Sequence, residues 1–239
     1  MTAPNNRERI QIFSAAGFRL GGFSLPGRSH PRVQYNGFVL NGIGSLQYTG
    51  SSILLNQPET GAIVAEYTLS GGVNRTFGSL RPTGHEDDAE LHLALNSGFP
   101  LVDPLGGFVF VFQTGPPMFR RYDRTGRLMF ERHVEGREID DLVAGLPTTW
   151  PKRNTSEGEL AVVAPTVRAA AVDSDGNLWL SFVVPHTYVY DRDGDKIRSV
   201  QFRAAGTISP TGLFFGQNGL LLVTPGLYEF SVGTGEPGR

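Results

Sequence analysis

An all-β fold, a β-propeller of four-stranded antiparallel blades, is what this sequence predicts, and three observations carry the prediction. The chain has 239 residues with 31 glycines, 16 prolines and 16 phenylalanines, a composition of short strands and frequent turns that is long enough to bury a sizeable core. Apolar runs of roughly four to eight residues alternate with Gly, Asn and Asp along most of its length, the pattern of strands and hairpins. One hairpin pattern then recurs.

An aromatic closes an apolar run, a glycine follows four positions later, and a second alternating run begins. The copies are IQIFSAAGFRLGGF (Phe13, Gly17), IVAEYTLSGGVNRTF (Tyr67, Gly71), FRRYDRTGRLMF (Tyr122, Gly126) and YVYDRDGDKIRSVQF (Tyr190, Gly194). A fifth, LYEFSVGTGEPGR, keeps Phe230 but has Thr234 in the glycine position. A second pair of runs precedes each of the last four: GSLQYTGSSILLN, FPLVDPLGGFVFVFQ, VRAAAVDSDGNLWLSFVV and GLFFGQNGLLLVT. The unit is therefore four strands, a to d. Its aromatics stand 54, 55, 68 and 40 residues apart, an irregularity that surface insertions accommodate. Repeated four-stranded units of this length are the signature of radially packed blades.

The expected complete units are residues 43–80, 90–134 and 160–203 of a single domain over 1–239, with an insertion at about 135–160. The first copy has only c and d, the last only a, b and c. About five blades are represented, and the ends imply either a chain lacking its first blade or more, or ends that pair across the closure. Within the insertion, Ile139, Leu142, Val143 and Leu146 recur at helical spacing, which predicts a short helix ending before Pro147. The segment PKRNTSEGE reads as solvated loop. In TGHEDDAELHLALNSG, the alternation of Leu91, Leu93 and Leu95 predicts the start of a strand, with His92 facing away from them.

The acidic loop DRDGD raises the question of calcium. Its glycine occupies the position where the other copies also carry one, and a tight hairpin turn needs the positive φ that glycine adopts cheaply. Counted from Asp191, an EF-hand loop would need Gly at Lys196 and Glu at Phe202. A structural turn is the expectation.

The stretches RAAAVDSDGNLWLSFVVPHTYVYDRDGDKIRSVQF and MFRRYDRTGRLMFE resemble NHL-type repeats, and the chain as a whole is similar in pattern to the bacterial six-bladed β-propellers of the NHL and TolB-like group. That resemblance implies a fold with six blades in the parent and says little about chemistry, because the shared residues are turn residues. Many members are exported or lipid-anchored, which implies a leader upstream if residues precede Met1. The opening MTAPNNRERIQIF has no signal-peptide core, and no run of about 18 apolar residues marks a membrane helix.

Charge and motifs narrow the function. With 21 Lys and Arg against 23 Asp and Glu, no global field attracts nucleic acid. The absence of cysteine removes disulfides, thiolate metal sites and cysteine nucleophiles. No G-x-S-x-G elbow, H-E-x-x-H or phosphate loop occurs, so no catalytic residues, metal ligands or cofactor are expected. Arg120, Arg121, Arg124 and Arg127 read as the wet face of an outer strand. The expectation is a non-catalytic module for protein interaction or ligand sensing, acting through the d-to-a and b-to-c loops at one mouth of the channel. Those loops carry Arg81, His85, Asn96, Gln113, Arg168 and His186. The alternative is a metal-dependent lactonase of the gluconolactonase-like type, for which Asn96, Asp103 and Asp173 are the available oxygen ligands. In the strand reading, Asp103 and Asp173 fall at the opposite mouth from Asn96.

Overall fold

The computed structural model describes residues 9–25, 32–35, 38–41, 45–155, 158–216 and 219–231. The chain begins with two hairpins, β1 (Arg9–Phe13) with β2 (Arg19–Ser24) and β3 (Arg32–Tyr35) with β4 (Phe38–Asn41). The first four-stranded sheet is β5 (Leu46–Tyr48), β6 (Ser52–Asn56), β7 (Ala62–Thr68) and β8 (Val73–Ser79). Helix α1 (Ala89–Leu95) leads into the second, β9 (Gly98–Val102), β10 (Phe108–Phe112), β11 (Met118–Tyr122) and β12 (Leu128–His133). Helix α2 (Asp140–Ala144) and the hairpin β13 (Lys152–Thr155) with β14 (Gly158–Ala161) separate it from the third sheet, β15 (Val167–Val172), β16 (Leu178–Phe182), β17 (Thr187–Tyr190) and β18 (Lys196–Val200). The pair β19 (Phe202–Arg203) and β20 (Thr207–Ile208) precedes a three-stranded sheet of β21 (Gly212–Phe215), β22 (Leu220–Thr224) and β23 (Tyr228–Ser231).

In all four large sheets every pairing is antiparallel and follows chain order. The first strands of successive sheets lie side by side, β5 against β9, β9 against β15, and β15 against β21. The sheets therefore radiate from a shared inner wall like propeller blades.

Burial explains why the middle strands are apolar without alternation. Every residue of β6, β11, β16 and β17 is buried, whereas β12 and β18 are largely exposed. A middle strand has a neighbouring sheet on both faces, and successive side chains go to opposite ones. Phe110 and Phe112 pack toward Leu54, Ile63 and Phe77 of the first sheet; Val109, Val111 and Phe119 pack toward Leu178, Leu180 and Tyr190 of the third. The third meets the last through Trp179, Val189, Leu213 and Val223. Each of these large apolar side chains contributes about 1.5–3 kcal/mol by leaving water.

The recurring hairpin glycine does two jobs. Gly17, Gly71, Gly126 and Gly194 have φ of 83°, 93°, 85° and 86°, the left-handed region that L side chains resist. A methyl added at Gly71, Gly126 or Gly194 would also stand 2.8, 2.9 or 2.8 Å from the ring or Cβ of Phe23, Phe77 or Phe130. Each of these aromatics lies on the last strand of an earlier sheet or hairpin, so these three c-to-d turns are notched against a neighbour's outer strand, whereas Gly17 has open space around it. In DRDGD, Asp191 Oδ1 accepts from the amides of Asp193 (3.0 Å) and Asp195 (2.9 Å). Asp123 accepts in the same way from Thr125 (2.8 Å) and Arg127 (3.0 Å). The first aspartate is thus a turn-former in both loops. Thr234 of the fifth copy lies outside the described residues.

Three expectations are corrected. Residues 89–95 form a helix rather than a strand: Asp88 accepts from the Leu91 amide at 3.2 Å as an N-cap, and Leu91 and Leu95 share one buried face. The segment read as solvated loop contains β13 and the start of β14, which pair with each other. Arg120 and Arg121 are 6% and 3% exposed rather than wet, because β11 is a middle strand and each guanidinium finds acceptors in an adjoining sheet or strand.

Candidate functional site

The mouth formed by the d-to-a and b-to-c connections is tied together by hydrogen bonds between Arg81 and Asn96 and by backbone bonds around Gln113. Asn96 is fully buried; its Oδ1 accepts from the Arg81 amide at 2.8 Å, and its Nδ2 donates to the Arg81 and His92 carbonyls at 3.3 and 3.0 Å. Arg81 in turn sends its guanidinium to the carbonyls of Leu95, Thr114 and Pro116. The Gln113 carbonyl accepts from the Thr166 and Val167 amides at 2.8 and 3.1 Å, and the Thr166 hydroxyl donates to Gly115 O at 2.8 Å. Arg81, Asn96 and Gln113 are thereby joined into one lattice that links the first, second and third sheets.

The remaining three residues stand around this lattice. His85 is half-buried and faces a cleft beside Arg81. His186 is half-buried, with Nε2 3.1 Å from Gln201 Nε2. Arg168 occupies a β-bulge in β15, opposite no residue of β16, and its buried Nε has no hydrogen-bond partner. A bulge re-aims a side chain at the end of a strand. The structure thus brings Arg81, Asn96 and Gln113 into one network and sets His85, Arg168 and His186 apart from one another around it.

A cap of other elements sits at this mouth. Leu91, Ala94 and Leu95 of α1 pack with Trp150, Ala161 and Val163, while the backbone of β3 lies beside α1 and β14. At the opposite mouth Asp103, 1% exposed in its side chain, pairs with Arg121 at 2.9 Å, and Arg121 also donates to Gly176 O at 2.8 Å. Arg192 reaches the same carboxylate at 3.3 Å. Asp173 holds its own turn and accepts from Trp179 Nε1 at 2.9 Å. Asn96 on one side and Asp103 and Asp173 on the other therefore do not converge on a common point.

Two concavities adjoin the mouth. The channel, about 520 Å³, is walled by the four first strands, with Leu46, Ala170 and Phe214 among its lining residues. It offers mixed surface, with Ser45, Gln47 and Thr211 beside the apolar residues. The second, about 540 Å³, opens between the end of the first sheet, the last two strands of the second and the inserted segment carrying α2. Phe112 lies beneath it, with the Arg81 guanidinium 4.4 Å and the Arg120 guanidinium 5.1 Å from the ring centroid. Burial, and next the charge of Arg120, bring the Arg81 pKa down to about 10. Sequence reasoning read Arg120 as a solvent-facing residue and Leu146 only as part of a helix, and did not single out Glu131 or His133 as cleft residues. The available signal was the c-to-d register, which sets Arg120 opposite Glu131.

Fold and site together define a propeller-like β-repeat protein with one capped mouth. No protein-family model and no curated protein matches the sequence. Among solved structures, the chain is similar to a Bacteroides caccae protein of unknown function, at 10% identity and a TM-score of 0.50, covering 91% of this chain and 64% of that one. It is also similar to the WD40 beta propeller domain of Doa1 (11% identity, TM-score 0.44, 79% and 51% covered) and to Chaetomium thermophilum Raptor (12%, 0.49, 90% and 16%). The chain thus spans less than two thirds of each of these proteins, and the first likeness bears on fold alone. No helix among the described residues is long and apolar enough to cross a membrane.

Proposed function

We propose that this chain is a non-catalytic binding module, engaging a protein or other ligand through the mouth that carries His85, Arg168 and His186 on the lattice of Arg81, Asn96 and Gln113. One observation carries the reading: Arg168 keeps a buried, unpartnered Nε at the rim. Leaving a buried donor unpaired costs about 1–3 kcal/mol, so the group calls for an explanation, and an acceptor supplied by a bound partner is the explanation this reading gives. The six-bladed NHL-like parentage and the single-domain organisation belong to the same proposal.

The test separates binding from stability. Arg168→Ala is expected to leave stability unchanged or raise it by about 1 kcal/mol in urea unfolding, while Arg168→Ala combined with His186→Ala abolishes partner capture and the opposite-mouth variant Arg127→Ala retains it. Destabilisation by Arg168→Ala comparable to a core truncation would show that the guanidinium is structural and remove the basis of the reading.

A further inference from the structure

We propose that the cleft over Phe112 seats an extended peptide presenting one carboxylate beside apolar side chains. The inference rests on the binding-module reading and names the partner chemistry of its Arg81 and His85 side.

Three features of the cleft point to this occupant. The first is charge. Two guanidiniums share the Phe112 ring, and only one carboxylate, Glu131, faces them. Arg81 is consumed by carbonyls. Arg120 gives Nε to Glu131 and Nη1 to the Ser79 carbonyl, which leaves its Nη2 without a carbonyl or carboxylate among the described residues. The lining therefore carries one uncompensated positive charge before His85 and His133 are counted. Burial and the charge of Arg120 both depress the Arg81 pKa, and an incoming carboxylate would relieve the second of these. Planar guanidinium donors suit a carboxylate better than a point charge does.

The second feature is apolar surface. Pro82, Pro116, Val143, Leu146 and Pro147 supply the cleft's accessible apolar surface, with Leu95, Met118 and Trp150 buried behind them and Thr83 and Thr148 at its margin. A fully hydrated anion would leave that surface uncovered; an anion set among apolar side chains covers it.

The third distinguishes a peptide from a small carboxylate. Strand β12 is the outer edge of its sheet. The Val134 amide donates to the Pro117 carbonyl at 2.9 Å. In the antiparallel register that pairs Met118 with His133 and Arg120 with Glu131, alternation then turns the N–H and C=O groups of Glu131 and His133 away from β11, toward the open edge. The side chains of these two residues line the cleft. A strand added along this edge would pair with those groups and send every second side chain to the cleft's side.

The experiment uses the full chain and an array of octapeptides in which a single glutamate is flanked by leucine, phenylalanine, methionine or valine, with affinities of retained peptides measured by fluorescence anisotropy. Expected are retained peptides whose glutamate-to-glutamine versions bind at least tenfold more weakly, and a loss of similar size on Leu146→Asp in protein whose circular dichroism and urea midpoint match the wild type. Arg127→Ala, at the opposite mouth, should leave this binding unchanged. Binding equal for glutamate and glutamine peptides, retention of no peptide, or displacement by octanoate as effective as by unlabelled peptide overturns the proposal. Should peptide binding survive Leu146→Asp and disappear on His186→Ala, the module reading stands and the cleft assignment falls. Loss of mouth-dependent partner capture alone would leave the cleft intact.

Discussion

Replacing a hairpin glycine by alanine at two equivalent turns separates backbone strain from packing between sheets. Gly17 and Gly194 have nearly the same φ, 83° and 86°, so Gly17→Ala and Gly194→Ala carry the same left-handed penalty of about 1–2 kcal/mol, offset equally by the stiffer unfolded chain, about 0.4–1 kcal/mol. Their surroundings differ. A Cβ at Gly17 meets nothing within 4 Å, whereas at Gly194 it stands 2.8 Å from Phe130 Cε2 and 3.0 Å from Arg132 Cγ. The Phe130 ring is itself edge-on to Phe119 at 6.3 Å, so it yields only by disturbing the core between the second and third sheets. Overpacking of this kind costs about 1–3 kcal/mol. Gly194→Ala should therefore be the more destabilising by that amount, which for a chain of this length lowers the melting temperature by roughly 3–10 °C more than Gly17→Ala. Urea and thermal unfolding measure it. Equal losses from the two variants, or a larger one from Gly17→Ala, would refute the notch between turn and neighbouring strand.

Other outcomes follow from named contacts. Asp103→Asn leaves the Arg121 guanidinium buried beside Gly176 O without its carboxylate and should cost about 3 kcal/mol in urea unfolding. Asn96→Ala removes one acceptor and two donors from the mouth lattice and should cost about 2–3 kcal/mol; a wild-type urea midpoint would show that the lattice is not structural. The Glu138 pKa is lowered to about 2, first by the hydrogen bond from Tyr188, then by its own amide, Lys196 and Ser199. Because the folded value lies below the ordinary 4.5, this contribution is present above pH 4.5 and is lost as pH falls toward 2. With the carboxylate about a third exposed, solvent screening limits it to about 1 kcal/mol, and Glu138→Gln should flatten the dependence of the urea midpoint on pH between about 2 and 4.5.

Much of the fold was legible because its determinants are local. The glycines of SGG, RTG and RDG mark positive φ whatever surrounds them, and FVFVF and LWLSF are apolar without alternation because both of their faces are covered. What was missed depends on partners distant in sequence. Leu91, Leu93 and Leu95 alternate like a strand, yet Leu91 and Leu95 also stand one helical turn apart, and the cap offered by Asp88 together with the cluster at Trp150 favours the helix. RNT and GEL show no strand periodicity, but their backbones pair. Arg120 and Arg121 look like solvent-facing residues until Glu131, Ser79, Asp103 and Gly176 are seen to meet them. The mouth residues were found by loop topology alone, and topology does not show that Asn96 and Arg81 are occupied with each other. The cleft over Phe112 needs the second sheet's register and the insertion's path together.

The seating of the turns at Gly71, Gly126 and Gly194 on an outer aromatic of an earlier sheet or hairpin makes each of these sheets a joint with two sides only. Damage introduced at Gly126 should therefore loosen the boundary marked by Phe77 and leave hydrogen exchange near Trp179 unaltered, since cohesion passes from one sheet to the next and no farther. The molecule would then fray at one seam at a time, with the seam beneath Arg120 free to breathe while its neighbours stay shut.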